Sequence, residues 1–153
     1  MEKQDQISFG LRRITTEQFA IIEESYDNSK DEIIELGTGL RFGFNTEKRI
    51  VTVLLAINFS QEKAPFLILE IGCFFQIVEE HWNSLYNVET KEIKLPKAIA
   101  IHMVMLAVGT IRGVLHAKTE NTPFNKFFLP TINVTDLVKE DVVIKTNDSV
   151  QYN

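Results

Sequence analysis

The chain has 153 residues, the length of one ordinary domain, with 16 basic and 21 acidic residues and a net charge of −5. This acidity argues against nucleic acids and anionic membrane surfaces as partners, because their phosphates repel a negatively charged protein. The one cysteine, Cys73, excludes an intrachain disulfide. We therefore expect a single domain over residues 1–153, with flexible ends at 1–7 and 139–153.

The ends of the chain and its apolar runs indicate a cytoplasmic location. Residues 1–6 are polar and charged, with no apolar region behind them of the kind that a secretory signal has. The apolar run 98–108 is shorter than the roughly 18 residues that a membrane-spanning helix needs, and it contains His102. We expect no membrane insertion.

Two strands are predicted in the first third of the chain. Residues 8–22 carry scattered apolar side chains and predict a strand with a break near Thr15–Thr16. Residues 34–44 alternate strictly, which is typical of a strand with one buried face. Its other face contains Gly37, Gly39 and Gly43. These glycines indicate either a bulged, twisted strand or the close approach of a partner subunit or bound chain.

Two further strands, 50–59 and 64–78, follow after short polar breaks at 45–48 and 60–63. Breaks of hairpin length predict an antiparallel meander, because parallel crossovers need many more residues. The last strand has apolar residues at both its odd and its even positions. We therefore expect it to be covered on both faces, with a partner subunit as the second cover.

The second half of the chain is predicted to be mainly helical. Residues 79–86 form one or two helical turns or a structured crossover, and 87–94 a loop. Pro96 is suited to opening a helix that runs to about Lys118. Its two apolar stripes indicate packing between two bodies, the sheet and another subunit. The residues assigned to the subunit interface are Ile101, Met105, Val108 and Leu115. Residues 124–138 predict an extended segment and a short helix, with Thr135 or Asn133 as N-cap.

Catalytic and cofactor motifs are not recognisable in the sequence. It has no glycine-rich phosphate loop and no cysteine pair for zinc. Cys73 lies in an apolar strand, and the run Glu79-Glu80-His81 lacks a spaced partner. We predict a protein that is not an enzyme and binds no cofactor or metal. The competing hypothesis, an enzyme or small-molecule binder, predicts a closed polar pocket near His81 or His102.

Apolar surface is the remaining candidate for function. Eleven phenylalanines supply large apolar area without a polar group. Two aromatic segments, 82–86 and 124–129, follow the last strand and the long helix. They either cover the core as lids or form a groove for the apolar side chains of extended polypeptides. Dispersed apolar contacts give affinity without demanding a sequence, and edge strands could add backbone hydrogen bonds.

Several strings, in this order along the chain, resemble the SecB family of export chaperones. Residues 65–77 (PFLILEIGCFFQI) resemble the family's last long strand, and 110–113 (TIRG) the Ser-Arg-Gly end of its main helix. Residues 129–138 (LPTINVTDLV) resemble the string that starts its final helix. The resemblance covers roughly residues 8–138. The chain departs from the family in a longer stretch after Gly113, a single Gly72 and the tail after Val138.

This resemblance implies an α+β fold, a four-stranded antiparallel sheet with a long helix and a shorter C-terminal helix on one face. It implies a homotetramer, built as a dimer of dimers with the long helices between dimers. The implied function is that of a chaperone that binds unfolded polypeptides, preproteins included, in apolar grooves for protein export. The implied peptide-binding residues are Phe74, Phe75, Ile77, Trp82, Leu85, Tyr86, Leu129 and Ile132.

The resemblance also implies a SecA-type motor as a partner in protein transport, with Glu70 as the docking position on the sheet. An alternative from the same family is an adaptor or dedicated chaperone that binds one specific partner, such as an antitoxin. Suppression of aggregation for unrelated clients would favour the general chaperone, and binding of one partner would favour the dedicated one.

Overall fold

The computed structural model of the protein describes residues 6–30 and 32–145. Four long strands form one sheet with the order β1-β4-β3-β2 and antiparallel pairing throughout. These strands are β1 (Phe9–Ile21), β2 (Ile34–Asn45), β3 (Ile50–Gln61) and β4 (Ala64–Ile77). The predicted meander is confirmed, since β2, β3 and β4 are neighbours joined by short turns.

In the described part of the chain, three helices and a second, smaller sheet accompany the large sheet. The helices are α1 (Glu79–Leu85), α2 (Lys97–Thr119) and α3 (Val134–Leu137), and 3-10 turns lie at Glu23–Ser25 and Pro123–Lys126. The smaller antiparallel sheet contains β5 (Tyr86–Asn87), β6 (Glu92–Leu95) and β7 (Val142–Lys145). Because α2 packs across β3 and β4, the core lies between this helix and the large sheet. The predicted α+β fold with a four-stranded antiparallel sheet is confirmed.

Two register shifts in β1 explain its scattered apolar residues. They lie between Leu11 and Arg13 and between Thr16 and Gln18, and the second confirms the predicted break. Each shift reverses which parity of the strand faces the core, so the apolar side chains stay on the α2 side in spite of their irregular spacing. The apolar residues kept on this side by the shifts are Phe9, Leu11, Ile14, Phe19 and Ile21.

A neighbouring side chain explains one of the β2 glycines. A Cβ atom at Gly37 would lie 2.9 Å from both amide atoms of Asn58, its partner on β3, so the Asn58 side chain occupies that space. On β4, Phe74 is buried on the face opposite α2, and the Arg13 guanidinium carbon lies 5.3 Å from its ring centroid. The chain's own side chains therefore supply part of the cover that we expected from a partner subunit.

The helix α2 begins directly after Pro96, as predicted, and ends at Thr119, one residue beyond the predicted end. The Asp141 carboxylate accepts a hydrogen bond from the Lys97 N–H at 2.8 Å and so caps the first turn. An 18-residue window of α2 has a mean hydropathy of 1.9, which by length and composition alone would suit a membrane span. Eight residues along α2 are buried, and the helix packs against β3 and β4.

The smaller sheet corrects two predictions. The loop predicted over 87–94 contains parts of β5 and β6, and the flexible tail predicted from residue 139 is wrong for Val142–Lys145. This strand pairs with β6, and the pairing buries Ile93, Leu95 and Ile144. Residues 1–5 and 146–153, also predicted to be flexible, lie outside the described residues.

Candidate functional site

Most of the residues assigned to peptide binding are buried. Phe75, Ile77, Trp82, Leu85 and Leu129 belong to the core cluster. Tyr86 is half-buried, and its ring stacks on that of Trp82 with 6.0 Å between centroids. In the observed arrangement these residues are part of the core, and a polypeptide reaches the buried ones only if the elements packed over them move away. Their role in binding stays a prediction.

The second aromatic segment is divided between core and surface. Phe124 is buried and Phe127 half-buried, and both rings pack against Tyr26 and Phe66. The next residue, Phe128, is instead 63% exposed. An exposed phenylalanine directly before Leu129 places apolar area at the surface where the chain returns to α2.

An open groove of about 300 Å³ lies between α2 and the segment 129–134. Five of its seven lining residues are apolar, and Arg112 is the charged one. The residues that line this groove, here called the α2 groove, are Met105, Val108, Arg112, Leu129, Thr131, Ile132 and Val134. The structure thus brings together residues that the sequence assigned to two different sites, Met105 and Val108 to an interface and Leu129 and Ile132 to peptide binding.

Arg112 joins the two walls of the α2 groove. Its Nε donates to the Leu129 carbonyl at 3.3 Å and one terminal nitrogen donates to the Pro130 carbonyl at 3.2 Å. The segment then enters α3, where Asn133 accepts a hydrogen bond from the Thr135 N–H at 3.2 Å, which confirms one of the two predicted N-caps. Sequence reasoning missed Arg112 as a site residue, although Arg112 lies on the same helical stripe as Met105 and Val108.

The stripe of α2 that was assigned to a subunit interface packs largely against the chain itself. Val108 and Leu115 are buried and Ile101 is half-buried, whereas Met105 is 57% exposed. The segment 129–134, which forms the second wall of the α2 groove, lies beside Val108. Little surface of Val108 or Leu115 is left for another subunit, and the assignment of the four residues to an interface stays a prediction.

The titratable residues considered for chemistry have structural partners. His81 Nδ1 accepts a hydrogen bond from the Ser8 N–H at 2.8 Å, and the His102 ring packs against Phe9 with 5.3 Å between centroids. Burial raises the pKa of the Cys73 thiol, which keeps it protonated and unreactive near neutral pH. Within residues 6–30 and 32–145, no three His, Cys, Asp or Glu side chains are grouped so as to hold a metal ion.

Glu70 lies on the face of the sheet opposite α2. It is half-buried, and one terminal nitrogen of Arg41 lies 3.4 Å from each of its carboxylate oxygens. A partner that docked on Glu70 would have to compete with this ion pair. Its role in docking stays a prediction.

The fold is similar to that of a SecB-like chaperone. The Mycobacterium tuberculosis protein Rv1957, a SecB-like chaperone solved in complex with a ChAD peptide from the Rv1956 HigA1 antitoxin, superposes with a TM-score of 0.52. The match covers 81% of this chain and 90% of that chain, at 11% sequence identity. The chain therefore has a SecB-like α+β fold. At this identity the similarity establishes the fold and not the function.

A protein of unknown function from Streptococcus agalactiae is similar over 83% of this chain and 98% of that chain, with 10% identity and a TM-score of 0.38. This second likeness is too weak to inform the fold. No protein-family model matches the sequence, and none of the curated proteins is similar to it.

Proposed function

We propose that this protein is a molecular chaperone that binds non-native polypeptide segments in the α2 groove and protects them from aggregation. The observation that carries the proposal is accessible apolar surface at the groove, where Met105 is 57% exposed and five of the seven lining residues are apolar. Concentrated apolar surface of this kind marks interaction sites on folded domains. Apolar contacts are non-directional, so they suit clients of different sequence.

The wider role that we propose comes from the family resemblance. The clients are unfolded polypeptides in the cytoplasm, preproteins among them, and the protein keeps them competent for export without a cofactor. A SecA-type motor that docks at the sheet face around Glu70 is the proposed downstream partner. The alternative is a dedicated chaperone for one partner, and the antitoxin peptide bound to Rv1957 makes an antitoxin the candidate to test.

The proposal is tested by light scattering of thermally unfolding malate dehydrogenase and of a second, unrelated enzyme. We expect suppression of aggregation of both enzymes at a near-stoichiometric ratio, because each client segment occupies one groove. Suppression of neither, with no binding of either unfolded chain in pull-down, would reject the chaperone proposal. Binding of one protein alone across a panel of clients would favour the dedicated chaperone.

We further propose that the protein assembles with copies of itself through the free edge of β1. Leu11 and Ile14 face the α2 side of the sheet and are exposed, and Leu106 of α2 is exposed as well. On the exposed face of α2, a Cβ atom added at Gly109 or Gly113 would meet nothing within 4 Å, so a second helix could approach closely. An edge strand with apolar neighbours is suited to pairing with another strand. Two such dimers would give the predicted dimer of dimers.

An Ile14→Lys variant tests this assembly. Ile14 is 48% exposed, so lysine is accommodated in a single chain, but its charge would be buried unpaired at a β1–β1 contact. We expect multi-angle light scattering to give an oligomer for the wild type and a smaller particle for Ile14→Lys, with unchanged circular dichroism. Val88 is 75% exposed and lies between β5 and β6, outside the large sheet, so Val88→Lys should keep the wild-type mass. A monomeric wild type would contradict the proposal.

A further inference from the structure

The elements that build the α2 groove are basic within an acidic protein. Residues 97–137 comprise α2, the second wall of the groove and α3. Their basic residues are Lys97, Arg112, Lys118 and Lys126, and their acidic residues are Glu120 and Asp136, which gives a net charge of +2. The rest of the chain contains 12 basic and 19 acidic residues. Of these charged side chains, Arg112 is the one that lines the groove.

Arg112 brings this positive charge into the groove itself. Among the described residues, no carboxylate forms an ion pair with Arg112. Its two hydrogen bonds go to main-chain carbonyls, which leave the charge of the guanidinium uncompensated. A guanidinium has five N–H donors in a fixed fork geometry. Donors thus remain for a ligand that enters the groove.

We propose that the α2 groove selects extended segments in which a carboxylate stands one or two residues from a pair of large apolar side chains. Met105 and Ile132 contact the apolar side chains, and Arg112 takes the carboxylate. This inference rests on the proposed function and names the chemistry of its clients. A charge-assisted bond from Arg to a carboxylate is about twice as strong as a neutral hydrogen bond. Because the Arg112 side chain is exposed, solvent screens this attraction, so it discriminates between clients while the apolar contacts supply most of the affinity.

The net charge of the whole chain does not oppose this preference at close range. At physiological ionic strength, charges more than about 8 Å apart are largely screened. The charge of Arg112 therefore determines the electrostatic interaction with a client residue that contacts it. A client lysine at the carboxylate position meets an unpaired like charge, and like-charge contacts reject wrong partners.

The test uses three fluorescein-labelled nonapeptides with the same Leu-Phe pair and either Asp, Asn or Lys two residues away. We expect fluorescence anisotropy to show the Asp peptide binding about tenfold more tightly than the Lys peptide, with the Asn peptide between them. The difference should shrink as sodium chloride is raised, because the discriminating term is electrostatic. The measurement on the wild type requires no substitution and so does not depend on the folding of any variant.

Two substitutions separate charge from groove shape. Arg112→Gln should bring the three affinities together, and Arg112→Lys should restore the order Asp, Asn, Lys, because lysine keeps the charge. Ile132→Ala should weaken all three peptides by a similar factor, since it removes apolar contact alone. Thermal melts by circular dichroism check each variant, because Arg112 also joins α2 to the 129–134 segment.

The outcomes distinguish this inference from the proposed function. Equal affinities of the three peptides for the wild type, or an order that survives Arg112→Gln, would overturn the inference and leave the chaperone proposal standing. Peptide binding that is lost as protein concentration rises would assign the groove to a second copy of the chain and overturn it as well. If no peptide binds and aggregation is not suppressed, the chaperone proposal fails, and this inference fails with it.

Discussion

A Phe75→Ala variant is expected to lose about 3–5 kcal/mol of unfolding free energy. Phe75 is fully buried on β4, which pairs with β1 on one side and β3 on the other, and its ring meets Phe9 edge to face with 5.6 Å between centroids. Two hydrogen-bonded neighbours hold the β4 backbone in place, so the cavity left by the ring cannot collapse. Urea denaturation followed by circular dichroism measures the loss.

The control for this prediction is Phe128→Ala, the same substitution at a phenylalanine that is 63% exposed. It should change the unfolding free energy by about 0.5 kcal/mol or less. A loss below about 1 kcal/mol for Phe75→Ala would show that the ring leaves its site easily, and would favour the sequence-based assignment of Phe75 to peptide binding. The expected large loss would mean that any defect in client binding by this variant reflects a destabilised core.

The strands and the long helix could be predicted because each has a local signal. β2 alternates strictly over eleven residues, and Pro96 marks the start of α2 within one residue. The spacing of the apolar residues in β1 is irregular because two register shifts change which alternate positions face the core. Such a shift depends on the pairing of β1 with β4, and the sequence of β1 alone does not specify that pairing. The general α+β architecture follows from such patterns, whereas the register does not.

β7 was missed for a related physical reason. It contains four residues, Val142–Lys145, and its stability comes from pairing with Glu92–Leu95, about fifty residues earlier. Four residues are too few for period-two alternation to be distinguished from chance, and the surrounding residues are polar. The strand forms because its pairing buries Ile93 and Ile144, which is a property of the tertiary structure.

The candidate site was predicted in its composition but not in its arrangement. Apolar residues on α2 and around Ile132 were identified, but they were divided between two functions. Whether Leu129 and Val108 line a common groove depends on the return of the chain to α2, which the Arg112 bonds to carbonyls 17 and 18 residues away help to fix. Apolar residues at both odd and even positions of β4 indicated that both faces are buried, but not that α2 would cover one face and Arg13 part of the other.

The second prediction with a large effect is that Met105→Asp loses the ability to suppress aggregation, with client affinity reduced about tenfold or more. Met105 is 57% exposed at the mouth of the α2 groove, so aspartate costs the folded chain little beyond its lower helix propensity, about 1 kcal/mol or less. A client's apolar side chain would have to desolvate the new carboxylate.

The control is Val88→Asp, which replaces another exposed apolar residue outside the groove and should leave suppression intact. Multi-angle light scattering of Met105→Asp then separates the two roles assigned to this residue. Because the client site lies within one chain, we expect an unchanged mass together with lost suppression. A smaller particle that still suppresses aggregation would place Met105 in a subunit interface instead, and the α2 groove would no longer account for client binding.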